Sequence, residues 1–253
     1  MSVSYAVGLP IVGEFGDPVT LVDLAVAAEQ HGWDGVYLWD HVLFHERDWR
    51  VANPTVTVSA IAARTSRIRL IPMCILPRRR AHVVAREVDT LSALAPGRVT
   101  LVTALGSMDA EYAEFGEDPD LRARAALLDA GLAKLDGLVP LWCAGQWPRR
   151  AGLRRAARWQ GAMPTFAGYG GGDGNVLPSV FASAVDYVSS LRGGLEGFDF
   201  VLEGDTPPEG GAAVVAPYVD SGLTWWVEAF GWWRGGVAEA RTRIAAGPPS
   251  WAG

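Results

Sequence analysis

Val36-Tyr37-Leu38-Trp39, running straight into Asp40-His41, is the stretch that decides the fold. A short, unbroken apolar run reads as a strand buried on both faces, as in a parallel sheet with helices packed around it. When such strands close into a barrel, the groups that follow each strand end collect at one mouth. Asp40 and His41 would then be delivered to a pocket, and histidine is the side chain suited to exchange protons near neutral pH. A plainer reading, in which His41 caps the strand and bonds to backbone, fits these six residues equally well. The surrounding sequence has to decide.

Working outward, strand-like and helix-like segments alternate. Residues 4–9 read as the first strand, and Asp17-Pro18 then opens a helix with a capping acid and a proline at its first position. Leu21, Leu24, Ala25 and Ala28 form its apolar stripe, and Gly32 stops it. After the strand at 36–39, Asn53-Pro54 opens a second helix reaching about residue 65. Residues 67–72 are a third strand, followed by a stripe of Val84, Val88, Leu91 and Ala95 that Pro96-Gly97 breaks. Residues 98–102 form a fourth strand, and Leu121, Ala125, Leu128, Leu132 and Leu135 have the cleanest helical spacing in the chain.

The rhythm resumes with strands at 139–143 and around 162–164, separated by a helix over about 148–159. The glycine-rich loop 168–174 leads to a helix carrying Phe181, Ala184, Val188 and Leu191. Strands at 198–202 and 223–227 and a closing helix over about 236–246 complete the set. Eight strands in a rhythm of helical crossovers, which favour parallel pairing, predict one (β/α)8 TIM barrel domain spanning 1–253. The rival, an open doubly wound sheet, calls for a glycine-rich phosphate fingerprint after the first strand, and residues 8–13 do not supply it.

Composition excludes several functions. Of 253 residues, 49% are hydrophobic and 20% charged, as in ordinary globular proteins. The net charge of −6 and the lack of a basic block argue against nucleic-acid binding. No apolar run approaches the ~20 residues of a membrane span, and the first residues lack a signal-like core, so a cytoplasmic protein is expected. Cys74 and Cys143 read as reduced, buried thiols.

At the expected mouth, Asp40, His41, Met73, Cys74, Thr103, Ala104, Ala144, Gly145, Gln146, Glu203 and Glu228 follow or end strands. With Leu9-Pro10 from the first strand added, the mouth is read as mostly apolar with few convergent polar groups, which suits a flat organic ligand. A metal is not expected from Asp40, His41 and His45, since the other two histidines fall on helices. No Gly-x-Ser-x-Gly elbow is present. Glu203 and Glu228 are the pair from which glycoside chemistry would have to be assembled. Ala144-Gly145-Gln146, read as a small-residue turn before a helix at Pro148, is either an anion cradle or an ordinary tight turn. Arg78-Arg79-Arg80 either rims the mouth against an anionic tail or is a solvated face.

Taken together, these segments resemble the luciferase-like monooxygenase family. The resemblance is carried by residues 32–41, 65–73, 95–101, 111–118, 139–145, 154–159 and 222–228. It implies a (β/α)8 barrel using a flavin or deazaflavin, FMN or coenzyme F420, and it leans towards the deazaflavin. It further implies Asp40 and His41 beside the cofactor ring, with His41 the proton donor or acceptor. The Met73–Cys74 bond falls where the family often has a non-prolyl cis peptide. Thr103 and Ala104 would pack along the ring, while Ala144, Gly145 and Gln146 would take the phosphate. Two departures stand out: residues 102–107 keep one glycine where the family has a glycine-rich turn, and residues 137–140 join helix to strand without the family's insertion.

The expected function is hydride transfer, or oxygen activation, through that cofactor on a small organic substrate, in a possible homodimer. The alternatives are a barrel that binds a ligand without redox turnover, and a cofactor-independent acid–base enzyme.

Overall fold

The computed structural model describes residues 3–169 and 174–250. Eight strands, β1 (Ser4–Leu9), β2 (Gly35–Leu38), β3 (Arg69–Cys74), β4 (Leu101–Thr103), β5 (Leu141–Trp147), β6 (Gly161–Phe166), β7 (Asp199–Gly204) and β8 (Trp225–Ala229), form a closed parallel barrel in sequence order. Closure is made by β8 beside β1, where Tyr5 pairs with Trp226 and Val7 with Glu228. The (β/α)8 fold is therefore as the strand–helix rhythm predicts.

Helices α1 (Pro18–Gln30), α2 (Pro54–Arg64), α3 (Ala81–Leu94), α4 (Ala110–Ala113), α5 (Leu121–Leu135), α6 (Arg150–Ala156), α7 (Pro178–Arg192), α8 (Gly211–Val219) and α9 (Gly236–Ala245) accompany the strands. Their starts follow from local chemistry. The Asp17 carboxylate accepts the Thr20 N–H at 2.9 Å and the Asn53 side chain accepts the Val56 N–H at 3.0 Å. Each cap supplies a free helix-end N–H with a partner, and proline at the next position loses nothing there.

The core is layered by the two-residue alternation of the strands. Ala6, Tyr37, Ile71, Val102, Trp142, Met163, Val201, Trp225 and Val227 fill the barrel interior. Their sequence neighbours, among them Leu38, Leu70, Leu101, Cys143, Phe200 and Trp226, face the helices. Trp225 and Trp226 thus end up in different layers although they are adjacent, and both are packing residues, 8% and 0% exposed.

Two elements differ from the expectation. β5 continues through Ala144, Gly145 and Gln146, because each finds a partner on β6: Met163, Pro164 and Thr165. The expected turn is strand, and the helix after it begins at Arg150 rather than Pro148. Helix α8 lies between β7 and β8, where no helix is expected. Its glycine start and internal Pro217 hide it from a periodicity reading. Of the glycine-rich loop 168–174, residues 170–173 lie outside the described residues.

Candidate active site at the barrel mouth

Trp39, Asp40 and His41 follow β2 directly, and alternation sends them in different directions. Trp39 points inward and packs against the interior cluster. Asp40 is 6% exposed and turns away; its carboxylate accepts the Ile75 N–H at 2.6 Å and lies 2.9 Å from the Arg78 guanidinium. His41 lines a cavity at the mouth.

A chain of buried charges sets His41 in place. Its Nδ1 lies 3.2 Å from Glu111 Oε1, and that same oxygen is 2.7 Å from Arg78 Nη1 and accepts the Val42 N–H at 2.8 Å. Arg78, 6% exposed at its side chain, therefore joins the carboxylates of Asp40 and Glu111. Burial pushes the Glu111 carboxyl up, but its bonds to His41, Arg78 and Val42 outweigh that and hold it below the usual range. With Nδ1 engaged by a carboxylate, the other ring nitrogen is the one free to act on a ligand. The ring is further held by Phe44, 5.2 Å away, and Trp39, 6.0 Å away, both edge-on.

Glu111 is the residue of this candidate site that the strand-end reading misses. It sits on the one-turn helix α4, distant in sequence from His41; its only signal is membership of the segment 111–118. The arginine run divides by role: Arg78 is buried in this network, Arg79 pairs with Glu87 at 2.6 Å, and Arg80 is exposed.

The cavity beside His41 has a volume of ≈ 340 Å³ and lies over the ends of β2, β6, β7 and β8. Its wall is aromatic. Trp39 stacks on Trp233 at 5.9 Å and 16°, and Trp232 meets both nearly at right angles. Glu203 faces the cavity from β7, accepting a long bond from Trp39 Nε1 at 3.4 Å. Burial, with the nearby Asp205 carboxylate, pushes the Glu203 carboxyl up to about 7, although the Trp39 N–H pulls it down. Glu228 does not share the cavity. It is 0% exposed and saturated by Thr206, Trp226, Arg234 and Arg243, so the two glutamates face opposite sides of the sheet and do not form a glycosidase pair.

Alternation also sorts the remaining strand-end residues, since two consecutive residues of a strand cannot both face inward. Met73 and Ala144 pack against the interior cluster, and Ala104 and Gln146 share their parity. Cys74, Thr103 and Gly145 are on the outer face. Cys74 is buried, and desolvation, reinforced by Asp40, pushes its thiol up to about 12. Thr103 is 0% exposed and bonds the Trp142 carbonyl at 3.3 Å. A Cβ on Gly145 would lie 2.7 Å from the Gly152 Cα of α6, so this glycine lets strand and helix backbones touch and forms no open cradle. His41 and Gly145 accordingly do not line one cavity. The Met73–Cys74 bond is not cis; among the described residues the single cis bond is Trp147–Pro148. Met73 and Cys74 remain in register with Val102 and Thr103 as ordinary strand.

Residues 6–129 match the family model of luciferase-like monooxygenase. Among curated proteins, an F420-dependent glucose-6-phosphate dehydrogenase of Nakamurella multipartita is 38% identical over 96 residues, covering 37% of this chain and 28% of that protein. The enzyme of the same name from Nocardia farcinica is 31% identical over 169 residues, covering 62% and 49%. The matched part of the chain thus spans less than half the length of either relative. An F420-dependent secondary alcohol dehydrogenase, solved with an F420-acetone adduct, superposes with a TM-score of 0.74 at 13% identity, over 98% of this chain and 100% of that one. The monooxygenase RslO1 from Streptomyces bottropensis gives 0.70 at 14% identity, over 95% and 96%. At such identities the structures speak for the fold alone. No helix among the described residues is long and apolar enough to cross a membrane. The chain is thus similar to the luciferase-like monooxygenase family over residues 6–129, just under half its length, and shares its barrel fold with the solved structures from end to end.

Proposed function

We propose that the chain is an oxidoreductase that uses coenzyme F420 or FMN to move hydride to or from a small organic substrate held in the cavity beside His41. The observation that carries this reading is His41 itself, oriented by Glu111 and opening onto an aromatic cavity at the mouth of the barrel. The curated relatives named for F420 favour the deazaflavin.

In this reading the planar ring of the cofactor would lie over the inner ends of β3, β4 and β5. Met73, Ala104 and Ala144 are small or unbranched and only partly buried there, with Gln146 exposed at the end of β5. These four residues would border the cofactor, which when bound supplies the hydride acceptor or donor. His41 takes up or returns the accompanying proton, with Glu111 holding the imidazole in one orientation. Asp40 acts at one remove: it holds Arg78 and the Ile75 N–H, and so fixes the loop against which the network is built. The aromatic wall excludes water from the reacting groups.

Gly145 favours a second reading. Its contact with Gly152 removes the anion cradle that the sequence suggests, as expected of a barrel that binds a ligand without redox turnover. Titration of the purified chain with F420 and with FMN separates the two. Micromolar binding of either supports the oxidoreductase; binding of neither at that level overturns it.

A further inference from the structure

The cavity wall carries an electrostatic signature that the proton role of His41 does not use. Three indoles, Trp39, Trp232 and Trp233, meet in a corner there, and aromatic faces attract organic cations. Beside them Glu203 has no guanidinium or ammonium partner among the described residues, whereas neighbouring Asp205 is answered by Arg234 at 3.2 Å. Among the described residues no Lys or Arg lines the cavity. A phosphorylated substrate would meet a carboxylate and find no cation.

We propose that the cavity takes a substrate bearing an ammonium group, held by the Glu203 carboxylate against the tryptophan corner, and rejects phosphate esters. This deepens the oxidoreductase reading by naming the substrate class, and it rests on that reading only in calling the ligand a substrate. The relatives named for glucose 6-phosphate would then differ from this chain in what the mouth accepts.

Ionised Glu203 is the binding form, so affinity rises with pH through the group's raised range and levels off above it. Other titratable groups surround Glu203: His41 and His45 after β2, Tyr169 after β6 and Asp205 line the same cavity, Tyr37 of β2 lies in the barrel interior within electrostatic reach, and Arg234 stands behind Asp205 without lining the cavity. Protonated histidines would oppose a cation at low pH as well, so Glu203 has to be separated from them by substitution.

The test uses the whole chain without cofactor and follows tryptophan fluorescence and calorimetric heat. Choline, its uncharged analogue 3,3-dimethylbutan-1-ol, and glucose 6-phosphate are titrated at pH 6 and pH 8. Choline should bind at least about tenfold tighter than the neutral analogue at pH 8, and glucose 6-phosphate should not bind. From pH 6 to pH 8 choline affinity should rise about tenfold, the change in the ionised fraction of a group titrating near 7. Glu203→Gln should abolish both the preference and most of the pH dependence. Equal binding of the cation and its neutral analogue by wild type, tighter binding of glucose 6-phosphate, or an unchanged Glu203→Gln variant would each overturn the proposal. The wild-type comparisons stand whether or not the variant folds. Ammonium binding with no response to F420 or FMN would sink the redox reading and leave this one standing; the reverse result would do the opposite.

Discussion

Glu111 Oε1 lies 3.2 Å from His41 Nδ1 and 2.7 Å from Arg78 Nη1, so one buried carboxylate oxygen both orients the imidazole and answers the guanidinium. Removing it has two separable effects. Glu111→Gln keeps the volume and an acceptor but removes the negative charge that holds and supports the imidazole, and should lower turnover by about 10- to 100-fold. Glu111→Ala also strands Arg78 and should cost about 3 kcal/mol, near the low end for a broken buried pair because Asp40 still faces that guanidinium. Equal stability of the two variants in chemical denaturation would mean that Arg78 is not held by Glu111.

The same carboxylate shapes acid stability. Its folded value is depressed, so its contribution is complete above the ordinary glutamate range near about pH 4.3 and is lost as pH falls through the lowered value. Wild type should therefore lose stability on acidification below that range, and Glu111→Gln should show a shallower decline. Parallel curves from pH 5 to pH 3 would contradict the assignment.

Glu203 acts in the opposite direction. Its folded value is raised to about 7, so the folded state binds the extra proton and stability falls as pH rises from the ordinary range to neutrality. Glu203→Gln, which has nothing to ionise, should be more stable than wild type at pH 8, by on the order of 1–3 kcal/mol. The two should converge near pH 4. A variant less stable than wild type at pH 8 would show that the carboxylate is paired in the fold after all.

Gly145→Ala tests whether that glycine serves packing. Its Cβ would meet Gly152 backbone at 2.7 Å, and helix α6 would have to move off β5, at a cost of about 1–3 kcal/mol. Gly152→Ala should cost a similar amount, and the double variant less than the sum, since one displacement relieves both clashes. A neutral Gly145→Ala would indicate open space there. For comparison, Leu128→Ala, 0% exposed on α5, should cost about 2–5 kcal/mol by leaving a cavity.

The barrel was legible because burial on both faces gives each strand an apolar run, and caps such as Asp17-Pro18 and Asn53-Pro54 mark where helices start. Which strand-end residues face inward was also in principle readable, yet runs such as Met73-Cys74 and Ala144-Gly145 carry no polar alternation to give the phase. Only the register with neighbouring strands fixes it. His41 stood out as a candidate because a histidine ending an apolar run is conspicuous. Glu111 was not, because its meeting with His41 depends on how the loop after β4 folds back across the mouth. Helix α8 stayed hidden for a local reason, its glycine start and internal proline.

The most direct measurement is an equilibrium titration of F420 and FMN into wild type and Ala144→Trp, a variant that fills the inner end of β5 where the ring is proposed to lie. Wild type should bind one of the two cofactors with a micromolar Kd, and the variant, with its melting temperature retained, should bind it at least about tenfold more weakly. Failure of wild type to bind either cofactor, or equal affinity in a folded Ala144→Trp, would contradict the account.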